Sequence, residues 1–208
     1  MALANYSDIV SAISSWTHRG DLSSVAPDFI TLAEQRIYYG CEEEPFKCDP
    51  LRIRIMEEQD TGNASSGVIT IPSGYVETIR LLVTVSGKNS ELRYLPPNQN
   101  ASYETESGTA SFYTRVNEGL KVGPSTAAYV HDYYKRFDAL TSSATTNALL
   151  TAHPNVYLYA CLIEAWLYAS NMAKAQWAYG MYRSAVNALQ RSDRRSAYGH
   201  GLAVVAVS

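Results

Sequence analysis

The sequence predicts an α+β fold: a helical bundle from N- and C-terminal helices, with an inserted antiparallel β-rich region and an extended C-terminal tail. Three observations predict it. Apolar residues recur at helical spacing in residues 5–39 and 154–194, but largely at strand spacing between residues 51 and 137. Helices, strands and helices are thus segregated along the chain, which distinguishes α+β from the alternating α/β pattern. Residues 154–168 are apolar around nearly the whole helical circumference, and such a helix belongs in the middle of a bundle. The implied division is residues 1–49 with 138–195 as the bundle, 50–137 as the insertion and 196–208 as the tail.

The first helix spans about residues 5–16. Asn5 or Ser7 caps it, Tyr6, Ile9, Val10, Ile13 and Trp16 share one face, and Gly20 breaks the chain. The second runs from Ser24 or Ala26 to Tyr39. Pro27 suits its first turn, where no N–H is needed, and Asp28 complements the positive end of the helix. Phe29, Leu32, Ala33 and Ile37 form an apolar stripe with Ile30 beside it; Glu34, Gln35 and Arg36 face outward, and Gly40 ends the helix. Glu42, Glu43 and Glu44 make a solvated acidic run. Leu51, Ile53 and Ile55 then alternate with Arg52, Arg54 and Met56, as a strand does.

Residues 61–67 are a loop rich in Gly, Asn and Ser, and residues 68–71 a second strand. Residues 76–85 are apolar, either a strand or an irregular segment, and residues 86–89 turn the chain into 91–94. Pro96 and Pro97 open a short helix over residues 98–106. Residues 111–116 and 119–122 pair across Asn117 and Glu118, and a final strand lies within 127–137. A short helix near residues 146–152 precedes two long ones, 154–168 and about 173–194. The last carries Trp177, Met181, Ala185 and Leu189 on one side, with Ala188 near them, and Tyr179, Tyr182 and Val186 on an adjacent side. Arg191, Arg194 and Arg195 suit its C-terminus.

Of the 208 residues 46% are apolar and 18% charged, a globular composition, and the net charge of −3 gives no general attraction to nucleic acid. Three cysteines without CxxC spacing suggest neither a zinc site nor a disulfide framework; Cys161 belongs inside the apolar helix, and a bridge between Cys41 and Cys48 stays open. His18, His131, His153 and His200 lack metal-ligand spacing, and no nucleophile elbow, Walker loop or dinucleotide fingerprint occurs. No enzymatic activity, metal or cofactor is therefore expected. Glu164, within the apolar helix, turns outward or pairs with an arginine; the alternative is a general acid with a raised pKa. Without a secretion signal or a membrane-spanning stretch, folding in a cytoplasm is expected.

Sixteen tyrosines against four phenylalanines suit half-wet protein–protein interfaces, and half-exposed core packing accounts for them equally well. Arg183, Arg191, Arg194 and Arg195, with Tyr182 and Tyr198 near them for stacking, offer an alternative function as a nucleic-acid-binding module; compensation of the helix dipole is the plainer reading.

A set of distinct segments is spread in order over nearly the whole chain. They are the helix ending in Trp16; residues 26–37, APDFITLAEQRI; 71–77, IPSGYVE; 92–96, LRYLP; 120–124, LKVGP; Tyr133-Tyr134; 146–150, TNALL; 153–159, HPNVYLY, with Glu164-Ala165; and 194–199, RRSAYG. Together they resemble the head-to-tail adaptor (connector) protein of short-tailed bacteriophages. The resemblance implies a structural virion protein of the neck. It implies a ring, usually of twelve copies, between the portal protein and the tail tube or nozzle protein. It implies DNA passing through the channel without sequence-specific binding, no membrane or catalysis, and a C-terminal extension that docks into the portal. The tail fits this role. Leu202 to Val207 is β-prone, Gly199 and Gly201 let it leave the bundle, and an extended apolar strand can add to a partner's sheet edge. The expected portal-binding residues are Tyr198, Gly199, Leu202, Val204, Val205 and Val207.

Overall fold

A computed structural model describes residues 3–85, 87–100, 111–117, 119–122 and 127–198. In chain order the elements are α1 (Tyr6–Thr17), α2 (Ala26–Tyr39), β1 (Glu57–Asn63), β2 (Val68–Thr70), β3 (Tyr75–Val85), β4 (Lys88–Glu91), β5 (Arg93–Tyr94), α3 (Pro97–Asn100), β6 (Phe112–Val116), β7 (Gly119–Val122), β8 (Ala128–Lys135), α4 (Ala148–Ala152), α5 (Pro154–Tyr168) and α6 (Met172–Tyr198). Short 3-10 turns lie at Gly20–Ser24 and Arg54–Met56. Helices and sheets are segregated along the chain, so the α+β class holds. Two compact units divide it: residues 1–55 with 137–208, and residues 56–136.

In the helical unit α5 packs against α1, α2, α4 and α6. Val156, Tyr157, Ala160, Cys161, Ile163 and Ala165 are all buried, which takes in its full circumference. Each fully buried aliphatic side chain contributes about 1.5–3 kcal/mol relative to exposure. Asn5 caps α1, its Oδ1 accepting from the Asp8 N–H at 3.0 Å. The left-handed residue that ends α1 is His18, at φ 55°, rather than Gly20, which opens the 3-10 turn. Asn147 caps α4, and Pro154 stands in the first turn of α5.

In the helical unit the structure corrects two expectations, the first and third below, and decides a second point between them. First, Glu34 is buried and Arg36 half-buried, while Leu32 stands 51% exposed. The charged side chains turn inward because partners wait there. Second, α6 buries Ala175, Ala178, Tyr182 and Val186, leaving Trp177 and Met181 at the surface. A row begun by two alanines allows α6 to lie close to α5, which the bulkier Trp177 row would not. Third, residues 51–55 form no strand. Leu51 and Ile53 are buried and Ile55 is exposed, and the Leu51 N–H bonds the Ile37 carbonyl at 2.8 Å instead of joining a ladder. The alternation records an extended stretch lying on the helical unit. The helix α6 also continues through Tyr198, so residues 196–198, assigned to the tail, are helical.

The β unit holds two four-stranded sheets, in the orders β1-β8-β3-β4 and β2-β7-β6-β5. Ile69, Leu81, Val83, Leu92, Leu120 and Val122 form a core to which both sheets contribute. Residues 76–85 prove to be strand, with Leu81 and Val83 pointing inward. Gly87, at φ 76°, turns β3 into β4. The expected antiparallel arrangement needs one amendment: β5 pairs with β6 in parallel, Arg93 opposite Phe112. The first strand of the unit, β1, includes residues 61–63, read above as loop. Of the helix expected over 98–106, α3 covers Pro97–Asn100, and residues 101–106 lie outside the described residues.

Candidate interaction surfaces

Two carboxylates inside the helical unit, Glu34 and Glu164, are held by partners from distant parts of the chain. Arg36, from α2, reaches across to α5 and holds Glu164 Oε1 through Nε at 2.8 Å and Nη2 at 2.7 Å. Glu164 is therefore an ion-pair member, as one of its two sequence readings had it. The buried Glu34 Oε1 accepts the Leu140 N–H at 2.9 Å and the Tyr157 hydroxyl at 3.1 Å. Asn147 donates Nδ2 to the Tyr157 oxygen at 2.7 Å, and burial drives the Tyr157 phenol far above its ordinary range. A buried carboxylate satisfied in this way is a structural node that ties α2, α5 and the segment before α4 together.

His131 is fully buried in β8. Its Nε2 bonds Thr78 Oγ1 at 3.0 Å, its ring lies 5.1 Å from that of Tyr133 and 5.8 Å from that of Tyr75, and burial pushes its pKa down. A neutral imidazole in an aromatic stack is a packing element. His18 ends α1, and His153 joins α4 to α5 with its pKa lowered by burial. Among the described residues no group of three or more His, Cys, Asp or Glu side chains is placed to hold a metal ion. No described helix is long and apolar enough to cross a membrane.

Large apolar side chains remain at the surface. Trp16 of α1, Tyr159 of α5 and Trp177 of α6 form one aromatic cluster, with ring centroids 6.2, 6.2 and 6.3 Å apart. The two tryptophans stack at 29° and remain 44% and 49% exposed, with Met181 exposed one turn along α6. Leu32 and Tyr39, seven residues apart on α2, form a second exposed apolar stripe, and the exposed Tyr168 ring lies 5.4 Å from Phe29. Large rigid aromatic surface of this kind is characteristic of protein interfaces. Helical spacing in the sequence puts each tryptophan on an apolar face of its helix.

A basic edge runs along the same unit. Arg183, Arg191, Arg194 and Arg195 are exposed on α6, whose one carboxylate, Asp193, accepts the Arg54 N–H at 3.1 Å. Beside it a cleft of about 300 Å³ separates α6 from the 44–49 segment, lined by Glu44, Lys47, Asp49, Tyr179, Arg183 and Gln190. Tyr179 donates its hydroxyl to the Lys47 carbonyl across this cleft. Of the expected portal-binding residues, Tyr198 ends α6, while Gly199, Leu202, Val204, Val205 and Val207 lie outside the described residues.

The surfaces thus suit assembly, and the interior is given to structure. Comparison with known proteins agrees with the resemblance carried by the ordered segments. The profile of the family described as SU10 adaptor protein matches residues 4–205. No curated protein matches the chain. With its α and β units both inside the matched span, the chain belongs to the SU10 adaptor protein family, a structural family of phage head-to-tail adaptors that act with other head and tail components.

Proposed function

We propose that this protein is the subunit of an adaptor ring in the virion neck, of twelve copies, joining the portal protein to the tail tube or nozzle protein. The family match over residues 4–205 carries the reading. The surface supports it. A ring contact is heterologous, so each chain must offer two different complementary patches. The Trp16–Tyr159–Trp177 cluster and the Leu32–Tyr39 stripe are two apolar patches carried by different helices. DNA runs through the channel without sequence-specific contact. Residues 199–208, which follow the end of α6 at Tyr198, are the docking extension, and Gly199, Leu202, Val204, Val205 and Val207 add to the portal, each tail weakly and the ring of tails strongly.

The test mixes purified portal rings with the full chain or with a chain ending at Tyr198, and images the products by electron microscopy. The full chain decorates the portal with a ring and the shortened chain does not; equal decoration refutes portal docking by the tail. A Trp16→Ala/Trp177→Ala chain separates the contacts. It should bind portal as scattered copies without closing a ring.

The exposed arginine row favours a second reading, a nucleic-acid-binding module using α6. It predicts duplex DNA binding whose salt dependence weakens by about one counterion per arginine removed at Arg191, Arg194 or Arg195. Absence of DNA binding at low salt refutes it.

A further inference from the structure

Cys41 and Cys48 face each other across an isolated antiparallel bridge. Cys41 N–H donates to the Cys48 carbonyl at 2.9 Å, and Cys48 N–H to the Cys41 carbonyl at 2.8 Å. Residues that exchange both bonds in this way stand about 5.5 Å apart at Cα with side chains on the same face. Disulfides span Cα separations of about 4.4–6.8 Å. Both residues are half-buried free thiols, whereas Cys161 is sealed inside α5. Between them lies the acidic Glu42–Glu44 run, and Phe46 is buried there with its ring 5.7 Å from that of Tyr179 on α6. Burial pushes the Cys48 thiol up, and the Arg36 guanidinium beside it pulls the other way. Arg36 Nη1 is itself buried without a hydrogen-bond partner, and a neighbouring guanidinium favours the thiolate.

We propose that Cys41 and Cys48 are a reversible disulfide site that closes when the protein meets a disulfide oxidant and locks the base of the acidic loop. The chemistry is two successive exchanges. One protein thiolate attacks a small-molecule disulfide and expels one thiolate. The second protein thiol loses its proton and attacks the mixed disulfide, expelling the other. Two protein thiols and one oxidant disulfide become one protein disulfide and two small thiols, a two-electron oxidation of the protein balanced by reduction of the oxidant. Facing residues in a doubly hydrogen-bonded pair hold Cβ atoms about 1 Å wider than an unstrained disulfide prefers. The bond is therefore strained, and easily reduced again. A structural phage protein leaves a reducing cell interior with the particle, so the site closes after release.

The test treats the full chain with excess oxidised glutathione and then denatures and maps it. The expected result is an intact mass lower by about 2 Da, loss of two of the three thiols, and a peptide linking residues 41 and 48. Reduced dithiol restores both thiols. Cys41→Ser and Cys48→Ser chains should each stop at a glutathione adduct on the remaining cysteine. Tryptic cleavage after the exposed Lys47 should slow several-fold in the oxidised wild-type chain. Retention of all three thiols, stable double adducts, disulfide-linked dimers or unchanged cleavage at Lys47 each overturn the proposal.

Discussion

Arg36→Met tests the inward reading of α2 most directly. The arginine meets Glu164 through two nitrogens at 2.7 and 2.8 Å, and the two side chains are only 10% and 11% exposed. A surface ion pair is worth about 0–1 kcal/mol, because water and salt compete with it. Removing one member of a sheltered pair strands the other charge and costs about 3–5 kcal/mol. The small residual exposure puts the expectation at the lower end, about 3 kcal/mol. For a chain of this size that is a fall in melting temperature of about 6–12 °C. Urea unfolding followed by far-UV circular dichroism measures it. Glu164→Gln and the double variant complete a cycle, and the double variant should be markedly less destabilised than the sum of the singles. A cost below about 1 kcal/mol for Arg36→Met, or simple additivity, would show that water already screens the pair and would refute the reasoning.

Three further outcomes follow from the same geometry. Tyr157→Phe removes the hydroxyl shared by Glu34 and Asn147 and should cost about 1–3 kcal/mol in the same unfolding measurement. Gly40→Ala forces an L residue to φ 73° with its Cβ against the Cys48 carbonyl; backbone strain alone costs about 1–3 kcal/mol, and proteolysis of the 41–48 loop should accelerate. The depressed pKa of His131 makes the β unit depend on acid. The folded state keeps this imidazole neutral to lower pH than the unfolded chain does, so its stability is full above about pH 6.5 and falls as pH drops below that value toward the folded pKa. Tyr75, Thr78 and Tyr133 pack around it, and Asp60 and Asp132 exert the opposing pull. His131→Gln should flatten this acid limb between pH 7 and 5, measured by near-UV circular dichroism of the tyrosines.

Local chemistry made much of the fold legible. Asn5, one of the two caps that the sequence offered, caps α1, and the uniformly apolar α5 is central to the helical unit. Errors arose where a residue's role depends on something distant. Glu34 and Arg36 read as a solvent face because charge is the local signal; their partners lie more than a hundred residues away in Leu140, Tyr157 and Glu164. The strand β1, with the sequence EEQDTGN, has almost no buried position, so alternation could not reveal it. Its place comes from β8, which supplies the ladder from Glu57–Tyr134 to Asn63–Ala128. Residues 51–55 show the converse, alternation without a ladder. The aromatic cluster needed three helices to converge before Trp16, Tyr159 and Trp177 could be recognised as one surface.

The packing of α5 against α1 and α2 has a consequence for synthesis. Ile9, Ile13, Phe29, Ile30 and Ile37 emerge from the ribosome early, yet the helix that covers them begins only at Pro154. At about 5–20 residues per second, the roughly 100 residues between α2 and α5 leave those apolar faces waiting about 5–20 s. The intervening β unit has its own core and can close during that interval. Translation order thus makes the two N-terminal helices the segment most in need of chaperone cover, and slow codons between residues 40 and 154 would lengthen their exposure.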